Sequence, residues 1–522
     1  MSWVYPRLKN YLKKLSIVNK IIYFCLKYKN MNKIVTRIAP SPTGSFSHVG
    51  NLRTLLYNYF LAKKTGGKFL VRLEDTDRER YTPGFLDYFK EMCDWLEIQP
   101  DYSYWNPDPS IGSFVQSERD YSDKIKFLLD KGLAYYAFDT KDELDTLKSK
   151  GLKYDATTRM SMDNSLTNPS TDVMLQSGVP YVIRFAVTPD VDITFDDAIL
   201  GTITINTNTL DDKVLLKSNG IGSYHLCNVC DDHDMGVTHV LRGSEWVNST
   251  PFHIIMYKAL GWEVPTFAHL PLIMNPDGKG KLSKRTAMKY GIPIAPIGYV
   301  DDNGDFVRGW REFGFDPNAF INALALIGWS PGNDVEIMSI DDMINSFSLD
   351  RVHKSAARFD IDKAKWINSH YLRSTPNDDL KPFINIVDDR YSDDKLNKII
   401  DLAKERSEFK HDLNTIVDLF YKVPVVTDVN KIDENFIKVF GNDGFVSNCQ
   451  DVNFDDVDSI KSTIMEICSN NGIKIGKVMP GLRMALVGGV SGPDLMTTMS
   501  ILGKDQTIDR LVKSMSTLVD MD

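Results

Sequence analysis

Within forty residues this chain spells a strand, a Pro/Gly turn, an amphipathic helix and a second strand, an order that leaves few folds open. Residues 34–39 are β-branched and apolar and are closed by Pro40, the pattern of a buried strand. Beyond the turn, Leu52, Leu55, Leu56, Tyr59 and Phe60 recur at helical spacing, and Gly66-Gly67 ends the helix. Residues 69–73 read as the next strand. So short a crossover joins parallel neighbours, which makes this an α/β fold with its ligand beyond the strand C-terminal ends. A mixed stretch runs to about residue 219, with a strand-like alternation at 181–185. Strand and helix patterns then return at 237–241 and 251–260. From about Pro317 the pattern is helical, with long amphipathic stretches at 397–421 and 459–469. A chain of 522 residues divides into several domains, because single cores stop growing near ~250–300 residues.

Two segments carry phosphate chemistry. The first is the turn itself, Ala39-Pro40-Ser41-Pro42-Thr43-Gly44-Ser45-Phe46-Ser47-His48-Val49-Gly50-Asn51. A helix starting at Val49-Gly50-Asn51 aims backbone N–H groups and its positive dipole end above the strand. Gly50 admits a base or ribose close to the backbone, and His48 can donate a hydrogen bond to a phosphate oxygen. The second, more than two hundred residues later, is Gly278-Lys279-Gly280-Lys281-Leu282-Ser283-Lys284-Arg285, a Gly-rich loop carrying four cations. Ammonium groups on a mobile loop can follow the charge that builds on departing pyrophosphate. A His-x-Gly turn alone is weak evidence, and most basic runs are solvated surface. The pair is what an enzyme needs to hold ATP at both ends.

Together the two segments resemble the signatures of class I aminoacyl-tRNA synthetases, and their contexts resemble glutamyl-tRNA synthetases of the bacterial type. The resemblance runs from about Met31 to the C-terminus. One departure is that family members usually have two residues between the Gly of the turn and the His, whereas this chain has three, Ser45-Phe46-Ser47. The family implies a Rossmann-type catalytic domain with an inserted acceptor-binding domain, followed by an all-α anticodon-binding region. The implied boundaries are an N-terminal extension 1–30, catalytic halves 31–117 and 224–276 and an acceptor-stem insertion 118–223. A stem-contact domain 277–371 and two helical anticodon-binding subdomains, 372–430 and 431–522, follow.

The same resemblance implies the chemistry. His48, Lys281 and Lys284 are the catalytic residues. ATP lies against Ser41, His48, Gly50, Asn51, Glu245, Trp246, Lys281, Leu282, Ser283 and Lys284. Glutamate has two carboxylates and one ammonium, so its pocket needs cations at two places and an anion at one. Arg37 and Arg242 stand at strand ends and can hold carboxylates bidentately, and Glu74 can receive the ammonium. Ala39, Ser41, Tyr224 and Asn228 complete that set. Residues 359–368 resemble the family's junction into the anticodon-binding helices, 480–486 resemble its last domain, and Arg406 aligns with a position that helps read the anticodon. The partners implied are ATP with Mg²⁺, L-glutamate and tRNA(Glu), handled by a monomer.

Rival readings have their own features. Glu74-Asp75-Asp77 is an alternative Mg²⁺ cluster of hard oxygen ligands. Cys227-Asn228-Val229-Cys230, near His225 and His233, has zinc spacing but no second Cys pair, so packing cysteines and no structural zinc are expected. The alternatives to a glutamate enzyme are a glutaminyl-tRNA synthetase, whose first motif usually reads Pro-Glu-Pro-Asn-Gly, and an inactive tRNA-binding homologue. Net charge is −9, which neither supports nor excludes an RNA partner, since basic side chains can cluster on one face. Six cysteines in so long a chain do not make a disulfide framework and fit a reducing compartment. No apolar run approaches the roughly 20 residues that span a bilayer, and a cytoplasmic location is expected. Residues 1–30, with seven Lys/Arg and no acid, read as a dispensable tail or, alternatively, as a mitochondrial or other organellar presequence.

Overall fold

The computed structural model describes residues 33–43, 48–301, 303–385, 388–441 and 444–516. They fall into two compact units, one of residues up to 313 with 320–361, the other of 314–319 with residues from 362 onward.

The first unit is built on parallel strands. β1 (Val35–Ile38) precedes α1 (Val49–Lys64), which crosses to β2 (Lys68–Val71). β1 and β2 pair in parallel, Val35 opposite Lys68 and Ile38 opposite Val71, and β3 (Tyr102–Ser103) adds in parallel to β2. The helix ends as its sequence requires: Gly66 takes a left-handed φ of 62° and the Gly67 N–H reaches back to the Ala62 carbonyl. More of α1 is buried than its apolar stripe. Tyr57 and Asn58 on the other faces are also inside, Tyr57 donating to the Ala325 carbonyl and Asn58 to the Leu241 carbonyl.

Antiparallel strands β4 (Ala134–Ala137) and β5 (Val182–Phe185) follow, then the hairpin of β6 (Asp192–Asp197) and β7 (Gly201–Asn206), then β8 (Val214–Leu216) beside β5. The chain returns through α2 (Tyr224–Asp234), β9 (His239–Gly243), α3 (Thr250–Ala259) and β10 (Thr266–Leu270). β9 and β10 are parallel in register, and the Thr238 N–H donates to the Val35 carbonyl on the open edge of β1. The strands therefore run outward from β1 and β9 in opposite directions, which makes the gap between them a topological switch point. Although the hairpin lies within residues 118–223, β6 pairs in parallel with β10 through Asp197 opposite Phe267. Asp197 thus belongs to the main sheet.

The second unit is helical, and α4 (Ile361–Ser374) leads into it. The stretch 397–421 forms two helices, α5 within Asp393–Lys404 and α6 within Leu413–Tyr421. The Asp412 carboxylate captures the Glu408 and Phe409 N–H groups and starts a new helix instead of extending the first. α7 (Val457–Asn470) and α8 (Ile475–Val487) follow, and Gly481 is required in α8 because a Cβ there would lie within 2.7 Å of the Phe436 ring. Ile399, Leu413, Val417, Phe420, Ile460 and Leu482 form the buried centre. Residues 314–319 belong here because the Asp316 N–H donates to Asn368 and the Phe315 ring packs on Phe409. No helix among the described residues is long and apolar enough to cross a membrane.

Candidate active site

A cavity of about 960 Å³ opens at the switch point of the first unit. Its walls are the C-terminal ends of β1, β2 and β9, the start of α1 and α2, and the loop after β10. Arg37, Ala39, Ser41 and His48 line it from the first segment, with Gly50 and Asn51 at the helix start. Glu74, Tyr224, Asn228 and Arg242 form the deeper wall, and Glu245, Trp246, Lys281, Leu282 and Ser283 the outer one. Every binding or catalytic residue read from the sequence for this unit is thus around one space, except that Lys284 is described only as the first residue of the helix Lys284–Lys289. Arg406 is in the second unit, exposed just beyond α5, and the neighbouring Lys404 is turned inward onto the Thr375 carbonyl.

His48 is the N-cap of α1. The Gly50 N–H donates to its Nδ1 at 2.9 Å, so Nδ1 is unprotonated and the proton sits on Nε2. A Cβ on residue 50 would stand 3.3 Å from that nitrogen. Burial, and then the Lys281 charge, lower the His48 pKa to about 4, which keeps the ring neutral near pH 7 and able to donate from Nε2. The helix start offers fewer free N–H groups than the sequence suggests: Val49 donates to the Ile294 carbonyl and Gly50 to His48. Residues 44–47, among them the one extra residue of the turn, lie outside the described residues, while His48 itself lines the cavity. Lys281 pairs across to Met274, its Nζ 3.8 Å from Glu245. Leu282 is buried beneath it, and Ser283 caps the next helix in a reciprocal box with Thr286.

The two arginines differ in their surroundings. The Arg37 Nε donates to Asp232 at 2.9 Å, and Arg72, 0% exposed, donates to the same oxygen at 2.8 Å and to Glu74 at 3.1 Å. Burial works against the Asp232 carboxylate, but Arg37 and Arg72 outweigh it and hold its pKa below the usual value. Asp231 beside it pairs with Arg119 and accepts from Tyr121 and Gln116. Arg242, 6% exposed, donates to no carboxylate among the described residues. Its Nε gives to His269 Nε2 (3.1 Å), Nη1 to the Tyr224 hydroxyl (3.1 Å) and His253 Nδ1 (3.3 Å), and Nη2 to Thr250 (2.8 Å) and the Trp246 carbonyl (3.3 Å). Those five neutral acceptors use all five donors of the guanidinium.

The acidic triplet is dispersed. Glu74 accepts from Arg72 and Asn228, Asp75 from Ser117, and Asp77 from Arg80. Cys227 and Cys230 are fully buried, where burial pushes both thiols up, and His225 faces His253 rather than either thiol. The structure also adds residues that no motif marked. Lys217, from the end of β8, lines the cavity and donates to the Thr76 carbonyl, and His253 and His269 buttress Arg242 from behind.

Residues 33–366 match the family described as tRNA synthetases class I (E and Q), catalytic domain, and residues 377–515 match an anticodon binding domain. The chain belongs to the class I tRNA synthetases of this glutamate and glutamine family. It is 40% identical over 506 residues to the glutamate–tRNA ligase of Amoebophilus asiaticus, a match covering 93% of this chain and 98% of that protein. It is 39% identical over 510 residues to that of Cytophaga hutchinsonii, covering 93% and 98%. The crystal structure of a glutamate tRNA ligase from Elizabethkingia meningosepticum in complex with its amino acid superposes with a TM-score of 0.86 at 40% identity, covering 93% of this chain and all of that one.

Proposed function

We propose that this chain is a glutamate–tRNA ligase that works in two steps. The glutamate α-carboxylate attacks the α-phosphorus of ATP, and the P–O bond to pyrophosphate breaks as the acyl–phosphate bond forms. The 2′-hydroxyl of the tRNA's terminal adenosine then attacks the acyl carbon, loses its proton and expels AMP. No covalent enzyme intermediate is needed. The observation that carries the reading is the meeting of both phosphate-handling segments and both strand-end arginines around one cavity, in a chain about 40% identical to glutamate–tRNA ligases along most of its length.

The side chains bind and stabilise charge. His48 donates from Nε2 to a phosphate oxygen, and Lys281 and Lys284 meet the charge leaving with pyrophosphate. Arg37, Glu74, Tyr224, Asn228 and Arg242, with Ala39 and Ser41, orient glutamate; Gly50, Asn51, Glu245, Trp246, Leu282 and Ser283 shape the nucleotide site. Mg²⁺ bound with ATP neutralises phosphate charge. Residues 118–223 receive the acceptor stem and 277–371 contact the stem. The helices of 372–430 and 431–522 read the anticodon, Arg406 among them. The five described cysteines are unpaired thiols, in keeping with a cytoplasmic compartment.

Charging of purified tRNA(Glu) and tRNA(Gln) with glutamate and with glutamine tests the reading, and glutamine transfer without glutamate transfer overturns it. Lys284→Ala tests the loop. It should lower kcat for adenylate formation by ~10²–10³ with a much smaller rise in ATP KM, while Lys279→Ala changes little. Equal losses at both positions would mean a diffuse basic loop.

A further inference from the structure

Behind Arg242, away from the cavity, lies a buried pair that the proposed mechanism leaves without a task. His269 Nδ1 is 2.6 Å from Asp197, and both side chains are fully enclosed. The donor logic of this pair runs one way. An arginine only donates, so His269 Nε2, facing the Arg242 Nε–H, must be an acceptor. The single imidazole proton is then on Nδ1, where Asp197 receives it. Asp197 is itself pinned, its Oδ1 taking the backbone N–H groups of Ile199 and Leu200 and both oxygens lying close to the His269 N–H. We infer that Asp197 and His269 are positioning residues of the amino-acid pocket: Asp197 selects the His269 tautomer, and that tautomer fixes the plane of the Arg242 guanidinium.

The inference rests on the reading of Arg242 as part of the glutamate pocket. Its wider consequence is that a residue of the hairpin β6–β7, contributed by residues 118–223, sets the geometry of the amino-acid site in the main sheet. With the plane held by Nε, the Nη1 bond to Tyr224 aims that hydroxyl at the cavity it lines. Tyr224 then donates its own proton outward, toward a carboxylate.

Asp197→Asn is the discriminating substitution because it preserves shape and inverts one donor. The Ile199 and Leu200 N–H groups hold the amide oxygen in the Oδ1 place, which turns the NH₂ toward His269. His269 must then accept at Nδ1 and carry its proton on Nε2, where it opposes the Arg242 N–H. The experiment is pyrophosphate exchange on the full chain with tRNA(Glu) present, reading KM for glutamate and for ATP separately. Asp197→Asn should raise the glutamate KM by about tenfold or more while the ATP KM stays within about twofold. His269→Asn keeps the bond to Asp197 but stops short of Arg242, so it should give the same split, and it serves if Asp197→Asn fails to fold. His269→Gln, whose amide oxygen reaches the Nε2 place, should restore most of the glutamate affinity. If Arg242→Ala raises the glutamate KM while Asp197→Asn and His269→Asn stay within twofold of the parent, the positioning role is overturned and the Arg242 reading stands. If Arg242→Ala itself leaves the glutamate KM unchanged, that reading fails and the inference with it. Parallel rises in both KM values would show a purely structural pair and also overturn it.

Discussion

Two arginine clusters flank the same cavity and solve the burial of a cation in opposite ways. On the β1–β2 side, Arg37, Arg72 and Arg119 are matched by Glu74, Asp231 and Asp232 within direct ion-pair distance. On the β9–β10 side, Arg242 is surrounded by two imidazoles, two hydroxyls and a carbonyl. The first arrangement is neutral overall and pays its desolvation with charge pairs. The second leaves a positive charge with no hydrogen-bonded carboxylate among the described residues. A guanidinium already paired with a carboxylate has less to gain from an arriving anion than one held by neutral acceptors. Arg37 stands between the two cases, its Nε committed to Asp232 and its side chain lining the cavity.

The largest effect is expected where the charges are matched. Arg72→Met removes one cation from beneath Asp232 and Glu74 and leaves buried carboxylates short of partners, which costs about 3–5 kcal/mol of stability. Urea unfolding of the first unit would show it as a lowered midpoint, and an unchanged midpoint would mean the ion pairs are not buried as the structure has them. Arg37→Ala comes next. Besides weakening the Asp232 site it leaves a substrate carboxylate unpaired in a partly desolvated pocket, for a loss of about 2–5 kcal/mol in glutamate binding. A glutamate KM and kcat equal to the parent's would take Arg37 out of the pocket.

The two clusters should also part company with pH. His225 is held down to about 4 by burial and then by the Lys213 and Arg242 charges, with Asp211 opposing; His253 and His269 are lowered as well, by burial first. The unfolded chain takes up these protons from about pH 6.5 downward, before the folded chain does, so the unfolded state binds more protons in that window. Stability is therefore full above pH 6.5 and falls as pH drops toward 4, by up to about 1.4 kcal/mol per pH unit for each histidine. Asp232, also lowered, keeps its contribution until the pH falls below the usual carboxylate value. Unfolding curves at pH 7, 5.5 and 4.5 should lose one proton of slope in His225→Gln. A variant with the parent's slope would show that His225 titrates normally.

How much of this was legible in advance follows from the range of each interaction. The β1–α1–β2 crossover declares itself through local periodicity, the phosphate-handling residues through two compact motifs, and Glu74, Tyr224, Asn228, Arg242, Glu245 and Trp246 through the family resemblance. Asp197, His253 and His269 carry no such signal: a histidine in an apolar strand says nothing about an arginine 27 positions away. The same holds for β6–β7, which lies in the stretch read only as mixed and joins a parallel strand about 70 residues on, and for Lys217, which reaches the cavity from the end of β8. In α1, the apolar stripe understated burial because the Tyr57 hydroxyl and the Asn58 amide N–H donate to distant carbonyls. In α5 and α6, a continuous amphipathic pattern hid a break made by one capping carboxylate, Asp412.

The smallest expected effect sharpens the comparison most. Arg242→Met deletes a buried cation whose partners are neutral, so no carboxylate is stranded. The Tyr224 and Thr250 hydroxyls can rotate to new partners. His253 and His269 each lose a donor, a cost of about 1–3 kcal/mol before relaxation. Against this, removing an uncompensated charge relieves its desolvation, and burying a thioether of similar length is favourable. The terms oppose, so unfolding stability should change by about 1 kcal/mol or less, several times less than for Arg72→Met. The glutamate KM should still rise steeply, because the charge that awaits the substrate is gone. A stability loss at Arg242→Met as large as that at Arg72→Met would mean that Arg242 is a structural ion like its neighbours, and the contrast between the two clusters would collapse.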